Sequence, residues 1–100
     1  MSSRMQVASE IQQIGEDVAQ AVVGAGVIDK VEVRPGWSTS DEPTYEFFFR
    51  VDPARLTINS GLVHIHLSRH LLDALSERGD EHRPIVHLLD ERDWNEWSNA

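Results

Sequence analysis

The chain has 100 residues, 40% of them hydrophobic and 26% charged, the balance of one folded domain and not of a disordered chain. It contains no cysteine, which excludes disulfides and thiolate metal sites. Seventeen acidic residues against nine basic ones give a formal charge of −8, a surface that repels nucleic-acid phosphates and anionic membranes and attracts basic protein.

The N-terminal stretch "MSSRMQVASEIQQIGED" has no long apolar run and reads as neither a signal peptide nor a membrane span. With the missing cysteines it sets the expectation of a cytoplasmic protein. Val7, Ile11, Ile14, Val18 and Val22 recur at helical spacing and predict a first helix with one apolar stripe. Gly24 and Gly26 end it. "VGAGVID" is not a phosphate-binding loop, because the third glycine is missing and a helix precedes it instead of a strand.

Val31 and Val33 alternate with Lys30, Glu32 and Arg34, which predicts a half-buried strand stopped at Pro35 and Gly36. A polar connection with an exposed Trp37 follows. In "TYEFFFRV" Tyr45, Phe47, Phe49 and Val51 share one face of a second strand, with Glu46, Phe48 and Arg50 on the other. Phe48 breaks the alternation, which marks a covered sheet edge, a packing site for the Trp37 loop, or an interface. Two strands so close in sequence are expected to pair antiparallel.

"DPARLTINSG" is a turn-rich link. For "LVHIHLSRHLLDALSERGD" two readings compete. As a strand, Val63, Ile65 and Leu67 oppose His64 and His66. As a helix, Val63, Leu67, Leu71, Ala74 and Leu75 are buried, and His66, Arg69, His70, Asp73, Ser76 and Glu77 face water. The helix, from about Leu62 to Arg78 with Asn59 or Ser60 as its cap, is the favoured one. "RPIVHLL" predicts a short third strand, with Ile85, His87 and Leu89 on one face and Val86 and Leu88 on the other. Asp90 caps a final turn in which Trp94 and Trp97 lean to one side.

The expected fold is α+β: a single domain over residues 1–100 with the order α-β-β-α-β-α. A small three-stranded mixed sheet carries two main helices on one face and a short C-terminal helix.

The histidines are the one cluster that suggests chemistry. On a helix His66 and His70 stand one turn apart, a two-ligand spacing, and on a strand His64 and His66 share a face. A third ligand, from Asp73, His82 or His87, depends on the fold, and no glutamate follows His66 as in HExxH. "HLS" is half of a paired two-histidine phosphoesterase signature whose second copy is missing. No serine lies in a G-x-S-x-G context. "GDEHRP" reads as a solvated helix-to-strand connection. No catalytic, cofactor or metal residue is assigned.

The order "VEVRPG…DEP…FFFRV", then "LLDALSERGDEHRPIVHLLDE", resembles a group of small uncharacterised bacterial proteins. They have a strand, a polar loop, a second strand, a helix ending in a "GDE-x-x-P" turn, and a short strand with an acidic end. The likeness covers about Val31 to Glu91 and carries no catalytic residue. "INSGLVHIHLSRH" departs from the pattern in its histidines and β-branched residues. Some members of the group are encoded near toxin-like nucleotidyltransferases, so the resemblance implies an accessory or neutralising role.

Composition and motifs together favour an interaction protein without enzymatic activity, a partner of a basic protein, with Trp37, Phe48, Trp94 and Trp97 as contact residues. The alternative is a small metal-dependent hydrolase built on His66 and His70. A third reading is a homodimer formed through a sheet edge around Phe48.

Overall fold

In a computed structural model, residues 9–99 are described, and they form the expected α+β arrangement. Helix α1 spans Ser9–Val23, strand β1 Ile28–Trp37, strand β2 Pro43–Val51, helix α2 Ser60–Glu77, strand β3 Arg83–Leu89 and helix α3 Glu91–Ser98. The sheet order is β1-β2-β3, with β1 antiparallel and β3 parallel to the central strand.

Local signals set most boundaries. Gly24 takes φ +83° directly after α1, a left-handed conformation that is costly for other residues. The Asn59 side chain accepts from the Gly61 amide at 2.7 Å and starts α2, so the helical reading of the histidine segment holds. Gly79, at φ +76°, turns the chain away from α2, and Asp80 N–H bonds back to the Leu75 carbonyl at 2.9 Å. Asp90 accepts from the Asp93 amide at 2.8 Å and caps α3.

The core lies between the inner face of the sheet and the two long helices. Val33, Phe47, Phe49 and Val86 meet Ile11, Val18 and Ala19 of α1 and Val63, Leu67, Leu71 and Leu75 of α2. Ile14 and Val22 are only partly buried at the margin of this core, and Val7 lies outside the described residues. The contact between α1 and the sheet runs through small residues that an apolar stripe does not reveal. Gly15 is buried, and a Cβ there would stand 3.0 Å from Val31 Cγ1 and 3.1 Å from Phe47. Helix α3 lies on the opposite, outer face, where Trp97 stacks on Phe48 with centroids 4.2 Å apart. That placement explains the broken alternation in β2. The central strand is covered on both sides, so Phe47, Phe48 and Phe49 are all buried.

Pro35 and Gly36 do not end β1, which runs on to Trp37. The cause is sheet order. Val31 O accepts from the Gln12 side-chain amide at 2.7 Å, so the backbone groups of Val31 turn away from β2. Residues two apart share that direction, which puts Pro35 at an outward position where its missing N–H costs no ladder bond. The other edge repeats the device. Val86 O accepts from His64 Nε2 at 3.0 Å, so Pro84 also faces outward. Both prolines stand level with Tyr45 of the central strand. Each free edge is thus blunted by one proline and one side-chain donor, a defence against strand addition.

Candidate functional site

A concavity of about 770 Å³ runs along the open edge of β1. Glu16 and Gln20 of α1 form one wall, Asp29, Lys30 and Glu32 of β1 the floor, and Trp94 of α3 the other wall. It exists because α1 and α3 flank the edge strand from opposite faces of the sheet. A register shift between Ile28 and Lys30 makes Asp29 the extra residue of a β-bulge. The bulge sends its carboxylate to Arg50 of β2, whose Nε donates to Asp29 Oδ1 at 2.9 Å. That hydrogen bond, reinforced by the guanidinium charge, outweighs partial desolvation and holds Asp29 below the ordinary carboxylate range.

Asp29 also lines a second hollow of about 470 Å³, together with Arg50, Asp52, Asp90, Glu91 and Arg92. The two hollows share this residue and form one band. Its carboxylates are Glu16, Asp29, Glu32, Asp52, Asp90 and Glu91, against the cations Lys30, Arg50 and Arg92. Arg50 is engaged by Asp29 and Arg92 by Glu96 at 3.3 Å, while Glu32 is paired with Arg34 at 2.8 Å and Asp52 with Arg55 at 3.5 Å, which leaves Glu16, Asp90 and Glu91 against Lys30. The band is therefore anionic, with hydrocarbon from Trp94 at one side.

The four aromatic residues singled out from sequence do not form one surface. Phe48 lies on the central strand and not at an edge, 9% exposed between Trp97 and His87, whose ring stacks on it at 4.5 Å. Phe48 is therefore not at the sheet edge where the sequence reading set an interface. Trp94 is buried apart from the side it gives to the groove, and Trp97 is half-buried under the Arg34 guanidinium at 4.4 Å from its ring. Trp37, at 73%, is largely exposed at the far end of β1.

His66 and His70 are exposed on α2, and among the described residues no group of three His, Asp or Glu is placed to hold a metal ion. His64 serves the β3 edge, and His87 donates to Glu46 Oε1 at 3.0 Å on the outer face.

"GDEHRP" is more than a solvated connection. Asp80 accepts from the His82 amide at 2.9 Å, from His82 Nδ1 at 2.6 Å and from the Tyr45 hydroxyl at 2.9 Å. The His82 ring lies flat on Tyr45, 4.0 Å away. Partial burial pushes the Asp80 carboxyl up, but the hydrogen bonds from His82 and Tyr45 prevail and hold it below its ordinary value. Burial raises Tyr45 in turn, helped by its bond to the Asp80 anion, to about 12. The cluster fastens the α2–β3 connection to the central strand.

Sequence reading missed Asp29, Glu16 and the Tyr45–Asp80 bond. A bulge leaves no mark in the pattern of residues, and Tyr45 and Asp80 are 35 positions apart. Among the described residues no helix is long and apolar enough to cross a membrane. No family model, curated protein or solved structure matches the chain.

Proposed function

We propose that the protein is a small acidic interaction domain that binds a basic segment of a partner protein along the β1 edge, without catalysis of its own. The observation that carries this reading is the bulged Asp29 at the junction of two hollows whose linings together hold six carboxylates against three cations. Such a band selects lysine- and arginine-rich chain, and Trp94 gives the hydrocarbon of those side chains a surface to lie on. The prolines and side-chain donors on the sheet edges disfavour a partner that binds as an added strand, so recognition falls to side chains. The overall charge of −8 steers the encounter. A neutralising or accessory role toward a basic protein in the cytoplasm, the role implied by the resemblance in Val31–Glu91, accords with this chemistry.

The test is an NMR titration with an eight-residue oligolysine peptide. Shifts should concentrate at Gln20, Asp29–Glu32 and the Trp94 indole, and should fade as salt rises. Glu16→Lys with Glu32→Lys should abolish them. Glu77→Lys with Glu81→Lys changes the net charge equally but lies elsewhere, and should leave them in place. Equal loss in both pairs would mean that the peptide senses only net charge, and the site would be withdrawn.

A further inference from the structure

The described residues contain five exposed large hydrophobic side chains, and four of them belong to α2 and its lead-in: Ile58, Leu62, Ile65 and Leu72, at 42, 49, 51 and 53% exposure. With Arg69 and Ser76 the helical ones follow a 62-65-69-72-76 spacing, alternating three and four, which draws a second stripe along α2 opposite its buried one. A helix that needs only one apolar face for its own core carries two.

We infer that this outer stripe of α2 is the contact surface of a homodimer, packed antiparallel against the same stripe of a second copy. Charge identifies the occupant. Residues 53 to 72 contain no Asp or Glu in a chain with seventeen of them. The positions of the stripe itself therefore carry no carboxylate and one cation, Arg69, with Asp73 and Glu77 beside only its C-terminal part, so two strongly anionic copies meet there with least repulsion and a basic partner finds less to bind than on the β1 edge. The sheet edges, blunted by Pro35, Pro84, Gln12 and His64, are poor alternatives for self-association.

Arg69 sets the direction. In a parallel pair the two Arg69 guanidinium groups would face each other at mid-stripe. In an antiparallel pair the stem of Arg69 crosses Ile65 of the second copy, and Leu62 meets Leu72 at either end. Beside Leu72 lies a hollow of about 440 Å³ with Ser68, Ser76 and Pro84 on one part of its wall and Asp80, Glu81, His82 and Arg83 on the rest, so a leucine from across the two-fold axis would rest on its Leu72 side. The contact is isologous and closes at two copies. One helix pair buries less than a typical permanent interface, so the dimer should dissociate on dilution.

The full chain at about 100 µM, high enough to populate a dimer of micromolar affinity, should sediment at twice its 11.3 kDa mass. Leu72→Glu should sediment as a monomer while its circular dichroism, and its melting curve at a dilution where the parent is also monomeric, match the parent, because the side chain is not in the core. A native chain that is monomeric at that concentration, or a dimer that Leu72→Glu leaves intact, overturns the proposal. Orientation is read from cross-linking, which the lack of native cysteine makes clean. Leu62→Cys mixed with Leu72→Cys should give a disulfide-linked pair. Leu62→Cys alone should not, since two such positions would stand about 15 Å apart along the helices. A cross-link in Leu62→Cys alone would overturn the antiparallel arrangement.

Discussion

Tyr45 is the single tyrosine of the chain, so its ionisation can be followed by ultraviolet absorbance without interference from another phenol. Burial and the bond to Asp80 raise it to about 12, which predicts a titration midpoint about two units above the ordinary phenol at about 10. A group raised on folding stabilises fully below its unfolded value, and that contribution is lost as pH climbs from about 10 through the folded value. Asp80 is lowered, so its contribution is present above about pH 4 and disappears as pH falls through the folded value. Tyr45→Phe should flatten the alkaline arm of the stability profile and weaken the acid arm. An absorbance midpoint near 10 would show that the hydroxyl is not bound to Asp80. Gly15 has a different role. In most helix interiors alanine improves on glycine by about 1 kcal/mol. Here a Cβ would press on Val31 and on the fully buried Phe47, neither of which is a flexible chain end. Overpacking of this kind costs about 1–3 kcal/mol. Gly15→Ala should therefore destabilise in urea, and a gain would show that α1 can lift from the sheet.

The elements differ in how openly the sequence declares them. Asn59, Gly79 and Asp90 are local punctuation, read at the residue itself, and α2 and α3 begin or end beside them. Val31, Val33 and the aromatic alternation of β2 are also local, and the order of elements follows from them. Pro35 was opaque because its meaning depends on which strand lies at the edge, and strand order is a property of the whole sheet. Phe48 was opaque for a related reason. Its exposed-looking place in the alternation is filled by Trp97, 49 residues later. The acidic band was legible only as net charge, since the bulge at Asp29 and the flanking helices locate it. The edge devices can be tested at this scale. His64→Ala with Pro84→Val removes a donor and restores an N–H on β3, leaving a longer edge open to pairing. Heated below its melting point, this double variant should scatter light and bind thioflavin T sooner than the parent. Identical kinetics would mean that another feature protects the edge.

Across the molecule the sheet divides two kinds of packing. The inner face is closed by two long helices through many aliphatic contacts, and the outer face is closed by one short helix through two tryptophans. Eight residues cannot hold a helix by propensity, so α3 exists because Asp90 caps it and because Trp94 and Trp97 dock. Deleting Asp93 to Ala100 removes both anchors and uncovers Phe48. Truncating one well-buried tryptophan to alanine costs about 3–5 kcal/mol. Trp97 is only half-buried, so the pair together is worth about 5 kcal/mol, a large part of the 5–15 kcal/mol that holds a domain of this size together. At about 4 °C or more per kcal/mol near the midpoint, the melting temperature should fall by roughly 20 °C. Tryptophan emission should also move to the red, because the only remaining indole is Trp37, which stands in water. The same deletion removes the Trp94 wall of the β1 groove while leaving Glu16, Asp29 and Glu32 in place. Where the truncated chain is still folded, at low temperature, oligolysine should bind more weakly and with a steeper dependence on salt, since only charge remains to hold it. Unchanged melting would show that α3 does not seal the outer face. Unchanged peptide affinity would show that the tryptophan side of the groove takes no part in recognition.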